Sequence, residues 1–316
     1  MQHTAMGHER MPSVSVIIPT FNRPHLLPRA IESAFAAGTD VEVVVVDDAS
    51  TDETAEVCQA IEDIKYVRLE HNQGVAGARN VGVLASSADY IALLDDDDVR
   101  LPGSLDRQLA ALKESDAALI YGQALFGGAT DLMAQRHYPQ PCPSGDVYWQ
   151  LLTQNFIPSG SVVFRRSCLL STGMFNPSLA GIDDWDLWIR VAATCPVAAF
   201  DQPVLIWRRP SPTSDQGSAR AAEIVRLSTR QFRQSWSRMS RLVEAPPTMR
   251  RKVARQFSQN MASHLACEAL RSLSYGQVLS ANRCVLAALR FHSHGLVSRA
   301  MRALSGNQFT LRNPTP

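Results

Sequence analysis

Three groups of acidic residues stand directly after apolar segments of this sequence. They are Asp47 with Asp48, the run from Asp95 to Asp98, and Asp183 with Asp184 and Asp186. Four adjacent carboxylates repel one another and disfavour regular structure, so they are expected either in solvent or around a cation. Two interpretations follow: ordinary acidic loops at strand ends, or a shared site for a hard divalent ion and a charged ligand.

The elements that must position these groups alternate between strand and helix patterns up to Lys113. The predicted strands are Val14 to Ile18, Val41 to Val46, Tyr66 to Leu69 and Tyr90 to Leu94; the predicted helices are Pro24 to Ala37, one capped by Ser50 or Thr51, Val75 to Leu84, and Leu101 to Lys113. This alternation favours a parallel sheet and a Rossmann-like α/β fold. Ligands of such sheets bind at the carboxyl ends of the strands, where the first two acidic groups lie.

After about residue 115 the regular alternation stops. The segment "AALIYGQALFGG" predicts a pair of strands, "SGSVVFRRSCLL" a strand and a helix, "GIDDWDLWIRVAAT" a helix with an acidic start, and "VAAFDQPVLIW" two more short strands. We interpret this part as the second, mixed half of the same sheet. The α/β domain should therefore be complete near Trp207.

Charge is divided unevenly along the chain. The net charge is +1, but residues 1–217 contain 15 Lys/Arg and 27 Asp/Glu, whereas residues 218–316 contain 16 and 3. The basic part carries apolar residues at helical spacing, interrupted by Pro246 and Pro247 and followed by a helix from Val278 to Phe291. We predict a flexible N-terminus over residues 1–12, an α/β domain over 13–215 and a basic α-helical region over 216–316.

Composition and missing motifs exclude several classes of protein. The six cysteines are far apart without a CxxC pair, which fits neither a zinc cluster nor a disulfide framework and suggests reduced thiols in a cytosolic protein. We expect neither a signal peptide nor a membrane span, since no apolar run is long enough. "GVAGARN" lacks the GxGxxG pattern and no GxxxxGK[ST] occurs, so dinucleotide-binding and P-loop sites are not expected.

Five ordered motifs now point to one family. They are "VSVIIPTFNR", "VVVVDDASTDET", "NQGVAGARNVG", "YIALLDDDDV" and "GIDDWDLWIR". Together they resemble the inverting nucleotide-sugar glycosyltransferases of family 2, which have a GT-A fold. The resemblance spans about residues 13 to 210 and does not cover the helical tail.

The resemblance implies a donor site and a metal site. Asp95 and Asp97 match the family's DxD motif and, two apart in an extended segment, should point to one side and hold Mn²⁺ or Mg²⁺ beside a donor diphosphate. Asp96 is assigned to the donor site and Asp98 to the acceptor side. Residues expected at the nucleoside are Pro19, Thr20, Asp47, Asp48 and Arg79, with Asp48 first for the base.

The acidic helix start implies the general base. Asp184 in "DDWD" matches the second acidic residue of the family's ED motif, with Asp183 where Glu is commoner. Asp183 and Trp185 are candidates for the acceptor side, where an indole could stack on a sugar. Arg208 and Arg209 could reach the diphosphate. Without the QxxRW motif of processive members, transfer of one sugar per binding event is expected.

The resemblance implies a UDP-sugar donor and a saccharide or lipid-linked saccharide acceptor, as in cell-surface polysaccharide synthesis. A module that binds nucleotide sugars or glycans without catalysis is the alternative. The basic tail could lie on an anionic membrane surface as a peripheral attachment, or its helices could pack on the catalytic domain or form a homodimer. Nucleic-acid binding is not expected, because no known motif accompanies the arginines.

Overall fold

A computed structural model describes residues 11–127, 137–208 and 220–289. Within these residues nine strands form one sheet in the order β3-β2-β1-β4-β8-β6-β9-β5, with β7 beside β6. The strands are β1 (Val14–Thr20), β2 (Val41–Asp47), β3 (Ile64–Arg68), β4 (Tyr90–Leu93), β5 (Val99–Arg100), β6 (Leu119–Gly127), β7 (His137–Tyr138), β8 (Val162–Arg165) and β9 (Val197–Arg208).

The helices lie between and after these strands. Their bounds are α1 (Leu27–Ala36), α2 (Thr54–Gln59), α3 (Gly74–Ala85), α4 (Ser104–Lys113), α5 (Tyr148–Leu151), α6 (Cys168–Thr172), α7 (Asp183–Thr194), α8 (Ala221–Gln234), α9 (Ser240–Val243), α10 (Pro247–Ser274) and α11 (Val278–Leu289). The alternation of strand and helix up to α4 follows the sequence prediction.

The first four strands in the order form the parallel half of the sheet. β1 pairs in parallel with β2 and β4, and β2 pairs in parallel with β3. Successive β1 residues point to opposite faces: Val16 and Ile18 pack in the cluster with α1 and α4, whereas Ile17 packs in the cluster with α3 and α7. Because both faces are covered, these strands are continuous apolar runs rather than alternating ones.

The second half of the sheet is mixed, as predicted, but two strand predictions were wrong. Residues 119–127 form the single strand β6 instead of a pair, and residues 197–208 form the single strand β9 instead of two. These two strands pair in parallel along their length, with register irregularities around Gln123. The local sequence patterns predicted a break in each of these two segments. Each segment stays extended because it pairs with the other, which is distant in sequence.

The four helices that follow residue 220 pack on the same face as α7. Val253, Phe257, Met261 and Leu265 of α10 belong to one buried cluster with residues of α7. Pro247 is the first residue of α10, where its missing N–H costs nothing, so the two prolines separate helices as expected. No helix in the described residues is both long and apolar enough to cross a membrane.

Helix α3 approaches β1 and β2 closely through Gly82. A Cβ at this position would lie 2.2 Å from Cγ2 of Ile17 and 3.2 Å from Cγ2 of Val46. The same helix carries Arg79, so this contact also fixes the distance of an acidic-site residue from the sheet.

We expect Gly82→Ala to lower the free energy of unfolding by about 1–3 kcal/mol, because the added methyl must displace packed side chains. Leu84→Ala is the control on the same helix; Leu84 is 74% exposed, and its change should stay within about 0.5 kcal/mol. Chemical unfolding followed by circular dichroism measures both. Equal stabilities for Gly82→Ala and the wild type would contradict the close packing of α3.

Candidate active site

The carboxyl ends of β1, β2 and β4 meet at one edge of the parallel half-sheet. A backbone bond from Asp48 N to Thr20 O, 2.9 Å long, joins the ends of β1 and β2. Pro19 and Thr20 are buried at the end of β1, and Pro19 lies in register with Val46. The acidic run follows β4 directly, so the first two acidic groups converge at this edge as predicted from the topology.

The run from Asp95 to Asp98 forms a turn, closed by a hydrogen bond from Asp98 N to Asp95 O of 3.1 Å. The prediction of an extended segment was therefore wrong. The Asp95 side chain is 34% exposed, whereas those of Asp96 and Asp97 are each about 5% exposed. Asp95 faces Arg79, whereas Asp96 and Asp97 share Arg23, so each carboxylate of this part of the turn has a cation beside it.

Asp96 points into the protein rather than toward solvent. Its Oδ2 accepts a 2.8 Å hydrogen bond from the Thr20 hydroxyl, and its Oδ1 lies 2.9 Å from Nη1 of Arg23. Burial raises the pKa of Asp96 to about 6 although the Arg23 cation lowers it. Arg23 also lies 3.5 Å from Asp97 Oδ2, and the sequence analysis missed it. Arg23 comes three residues after β1, and this position at the carboxyl end of a parallel strand could have indicated a site residue.

Arg79 of α3 connects the acidic turn to the acidic helix start. Its Nη2 donates to Asp95 Oδ1 and to Ser159 Oγ, both at 2.8 Å, and its Nη1 donates to Asp183 Oδ2 at 2.9 Å. Burial by itself would lower the pKa of Arg79, but Asp95, Asp183 and Asp184 raise it above the ordinary value. Expected near a nucleoside base, the guanidinium is instead enclosed by carboxylates. Ser159 carried no sequence signal.

The first turn of α7 holds Asp183 and Asp184. Asp183 is buried against Arg79, which differs from the acceptor-side position expected for it. Asp184 is partly exposed; its Oδ1 accepts from Trp185 N at 2.6 Å, and Asn155 Nδ2 lies 3.4 Å from its Oδ2. Burial, and next the charge of Asp183, raise the pKa of Asp184 to about 7. A carboxyl with such a pKa can accept a proton near neutrality.

Asp98 and Arg208 meet at the other side of the turn. The backbone N of Arg208 donates to Asp98 Oδ1 at 2.9 Å, and this bond ties the turn to the end of β9. Burial and the charges of Asp95 and Asp97 raise the pKa of Asp98 well above its ordinary value. Asp98 is only 3% exposed, so its expected position on the acceptor side is corrected to a structural one. Arg209 lies outside the described residues.

The two aspartates at the end of β2, Asp47 within the strand and Asp48 directly after it, also bond to the protein. Asp47 is fully buried and accepts from Ser50 N and the Tyr66 hydroxyl, each at 2.8 Å. Because both of its oxygens have protein donors, the expected nucleoside contact is corrected to a role in shaping the loop. Asp48 Oδ1 accepts from Gln73 N at 2.7 Å, at the start of α3, and burial raises its pKa.

Trp185 is turned into the core. Its indole N–H donates to Leu151 O at 2.7 Å, and its ring centroid lies 4.9 Å from that of Trp236. Only 4% of Trp185 is exposed, so the expected stacking on an acceptor sugar does not fit its position. The Trp185 ring packs instead against aromatic residues of the region after residue 220, which are far away in sequence.

The carboxylates at this edge fit part of the coordination shell of a hard cation. Asp95 is partly exposed and Asp97 follows it in the same turn, so the two could supply oxygen ligands for Mg²⁺ or Mn²⁺. Within the described residues, no three His, Cys, Asp or Glu side chains come together as a complete ligand set. A metal here would need oxygens from a ligand such as a diphosphate, which is common for Mg²⁺.

Comparison with known sequences places the chain among glycosyltransferases. Residues 15–169 match the model of glycosyl transferase family 2. A succinoglycan biosynthesis protein, ExoO, of Rhizobium meliloti is 41% identical over 113 residues, which cover 35% of this chain and 32% of that protein. The GalNAc(5)-diNAcBac-PP-undecaprenol beta-1,3-glucosyltransferase of Campylobacter jejuni is 38% identical over 57% of this chain and 60% of its own length. The first curated relatives are thus matched over a third to three-fifths of their length.

Solved structures show the same fold at low sequence identity. The mannosyltransferase PcManGT of Pyrobaculum calidifontis, in complex with GDP-Man and Mn²⁺, superposes with a TM-score of 0.56 at 16% identity over 94% of this chain and 81% of that one. Residues 1–349 of S. aureus TarS with UDP-GlcNAc superpose with a TM-score of 0.52 at 14% identity over 89% and 93%. The matched motifs, the relatives and the sheet topology agree: this chain has a GT-A fold, and its residues 15–169 belong to glycosyl transferase family 2.

Proposed function

We propose that this protein is an inverting, metal-dependent and non-processive glycosyltransferase that moves a sugar from a nucleotide-diphosphate donor to a saccharide or lipid-linked saccharide. The observation that supports it is the Arg79 bridge, which holds Asp95 of the acidic turn and Asp183 of α7 on one guanidinium. Two carboxylate groups with different tasks are thereby held at one edge of the sheet. Family membership is the second support.

The residues of α7 suit the proton transfer that inversion requires. The Asp184 carboxylate would take the proton from an acceptor hydroxyl while that oxygen bonds to the anomeric carbon of the donor sugar. The bond from this carbon to the diphosphate oxygen breaks on the opposite side, and the nucleoside diphosphate leaves with the electron pair. Asp184 keeps the proton until the products depart, and its raised pKa suits both steps.

Asp95 and Asp97 are the residues that would hold the divalent metal. When bound, the metal would offset the negative charge of the departing diphosphate. Thr20 and Arg23 contribute by hydrogen bonding to Asp96, which partly offsets the charge of this third carboxylate. We take UDP-sugars as the first donor class to test, because a TarS structure with this fold contains UDP-GlcNAc.

We expect one of UDP, GDP, dTDP and CDP to bind with Mn²⁺ or Mg²⁺ and not with EDTA. Asp97→Asn should weaken that binding by about tenfold or more, since even the outer partners of metal ligands are worth that much. Asp116→Asn, in an exposed loop after α4, is the matched control and should bind as the wild type does. Calorimetric titration measures these affinities. Binding unchanged by EDTA and by Asp97→Asn would refute the metal site.

We expect Asp184→Asn to reduce transfer by about a hundredfold or more while nucleotide binding is retained, because an amide cannot accept the proton. In the wild type, kcat/KM should rise with pH through about 7, since the Asp184 carboxyl is protonated below its pKa and ionised above it. Steady-state rates across pH 5–9, about two units on either side, measure this limb. Transfer by Asp184→Asn at the wild-type rate would exclude Asp184 as the base.

Donor binding without turnover over a broad acceptor panel would instead favour the non-catalytic binding module.

Exposed apolar side chains on α10 and α11 support the hypothesis that the protein acts on an acceptor at a membrane surface. Large apolar side chains are exposed along the end of α10 and one side of α11, namely Leu273, Tyr275, Val278, Leu279, Val285, Leu286 and Leu289. Residues 269–316 contain six Arg and no Asp or Glu. Arg271 is paired with Glu268 at 2.8 Å, but the sequence from residue 272 onward adds five Arg and no acidic residue. An apolar face in a basic segment matches the requirements for binding at an anionic lipid surface. We propose that α11 binds there peripherally, on the cytoplasmic leaflet.

We expect the full chain to float with anionic vesicles and not with neutral ones. Leu279→Glu with Leu286→Glu should weaken this binding by about tenfold or more, because burying a leucine contributes about 1.5–3 kcal/mol. The control is Leu170→Glu, a 91% exposed leucine of α6, which should float like the wild type. Flotation by the double variant at the wild-type level would exclude this face. A dimer broken by the same substitutions would mean that a second copy covers it.

A further inference from the structure

The third aspartate at the start of α7 contacts the C-terminal helices instead of the donor edge. Asp186 Oδ1 accepts from the indole N–H of Trp236 at 2.8 Å and from Gln231 Nε2 at 3.0 Å. Its Oδ2 accepts from Arg190 Nε at 2.8 Å. Both carboxylate oxygens of this buried residue are therefore satisfied, and two of the three donors come from the region after residue 220.

The neighbouring Trp185 extends this contact into an aromatic cluster. Its ring packs on Trp236 with centroids 4.9 Å apart, and on Phe257 of α10 at 6.3 Å. Phe257 in turn stacks on Phe232 of α8 at 4.4 Å. The two residues that follow Asp184 are thus both fixed by side chains of the helical region.

A second contact reaches Asp184 from its other side. Asn260 of α10 donates to Thr153 O at 3.1 Å, and Asn155, two residues further along, lies 3.4 Å from Asp184 Oδ2. The helical region therefore contacts both the helix that carries Asp184 and the loop that carries its amide neighbour. On the donor side, Arg79 donates a hydrogen bond to Asp183, the residue before Asp184 in the first turn of α7.

We infer that the C-terminal helices position the general base. Trp236 and Asn260 are positioning residues: through Asp186 and Thr153 they hold Asp184 in the orientation and burial that proton transfer requires. This inference rests on the proposed function, because it takes Asp184 as the general base. It assigns a task to a region that lies outside the matched family segment, residues 15–169. Loss of either contact lowers the catalytic rate through Asp184 and leaves the donor edge intact.

Trp236→Phe tests this inference, since it removes one N–H donor and keeps an aromatic ring. Misplacement of a reacting group by about 1 Å can cost a hundredfold. We expect kcat to fall about tenfold or more, with the donor KM within about twofold of the wild-type value. The acid limb of the pH profile should move to lower pH as water reaches Asp184, where Asp183, Arg79 and Asp95 are the surrounding charges. Asn260→Leu should change kcat in the same direction.

Arg241→Gln is the matched control in the same region. Arg241 contacts Asp146 and donates to Ala192 O at 3.2 Å, near the far end of α7. It should lower the melting temperature without moving kcat or the pH limb. If Trp236→Phe and Asn260→Leu lose only stability, as Arg241→Gln does, the inference is overturned while the proposed function stands. If Asp184→Asn retains transfer, the proposed function itself fails, whatever Trp236→Phe does.

Discussion

One buried cation, Arg79, between two of the acidic groups is the constraint on which the rest of the site depends. Asp95 and Asp183 come from segments far apart in the chain, and without a shared positive charge their carboxylates would repel each other in a desolvated edge of the sheet. Arg79 supplies this charge from α3, whose distance from β1 is set by Gly82. Two uncharged residues, Gly82 through its lack of a side chain and Ser159 through its hydroxyl, therefore help to determine where Arg79 lies.

The remaining carboxylates are kept apart by separate partners. Asp96 is held by Thr20 and Arg23, Asp98 by the backbone of β9, and Asp47 by Ser50 and Tyr66. Asp95 has a 34% exposed side chain and Asp184 is partly exposed, whereas the Asp97 carboxylate is about 5% exposed and lies 3.5 Å from Arg23. The carboxylates of this cluster therefore differ in environment, because they accept hydrogen bonds from different groups.

The sequence predicted the elements of the parallel half and the convergence of the acidic groups, because strand and helix periods and the topology rule depend on local pattern. It could not predict the single strands β6 and β9, whose continuity comes from their pairing with each other. Nor could it predict that Asp97 is buried beside Asp96 on Arg23, or that Trp185 is turned inward. Side-chain direction within a turn or at a helix start is decided by partners such as Arg23 and Trp236, which lie far away in sequence.

The helical region shows how one basic segment can have two faces with unrelated tasks. Phe232 of α8, Trp236 just after α8 and Phe257 of α10 pack in the same cluster as α7, so the apolar residues of these segments are used inside the protein. α11 buries Ala281, Cys284 and Ala288 and leaves its larger leucines outside. Small residues inward and large residues outward is the reverse of what a helix packing only on its own domain requires. The packing of this region on α7 and the membrane attachment proposed above are therefore compatible, because they involve different side chains.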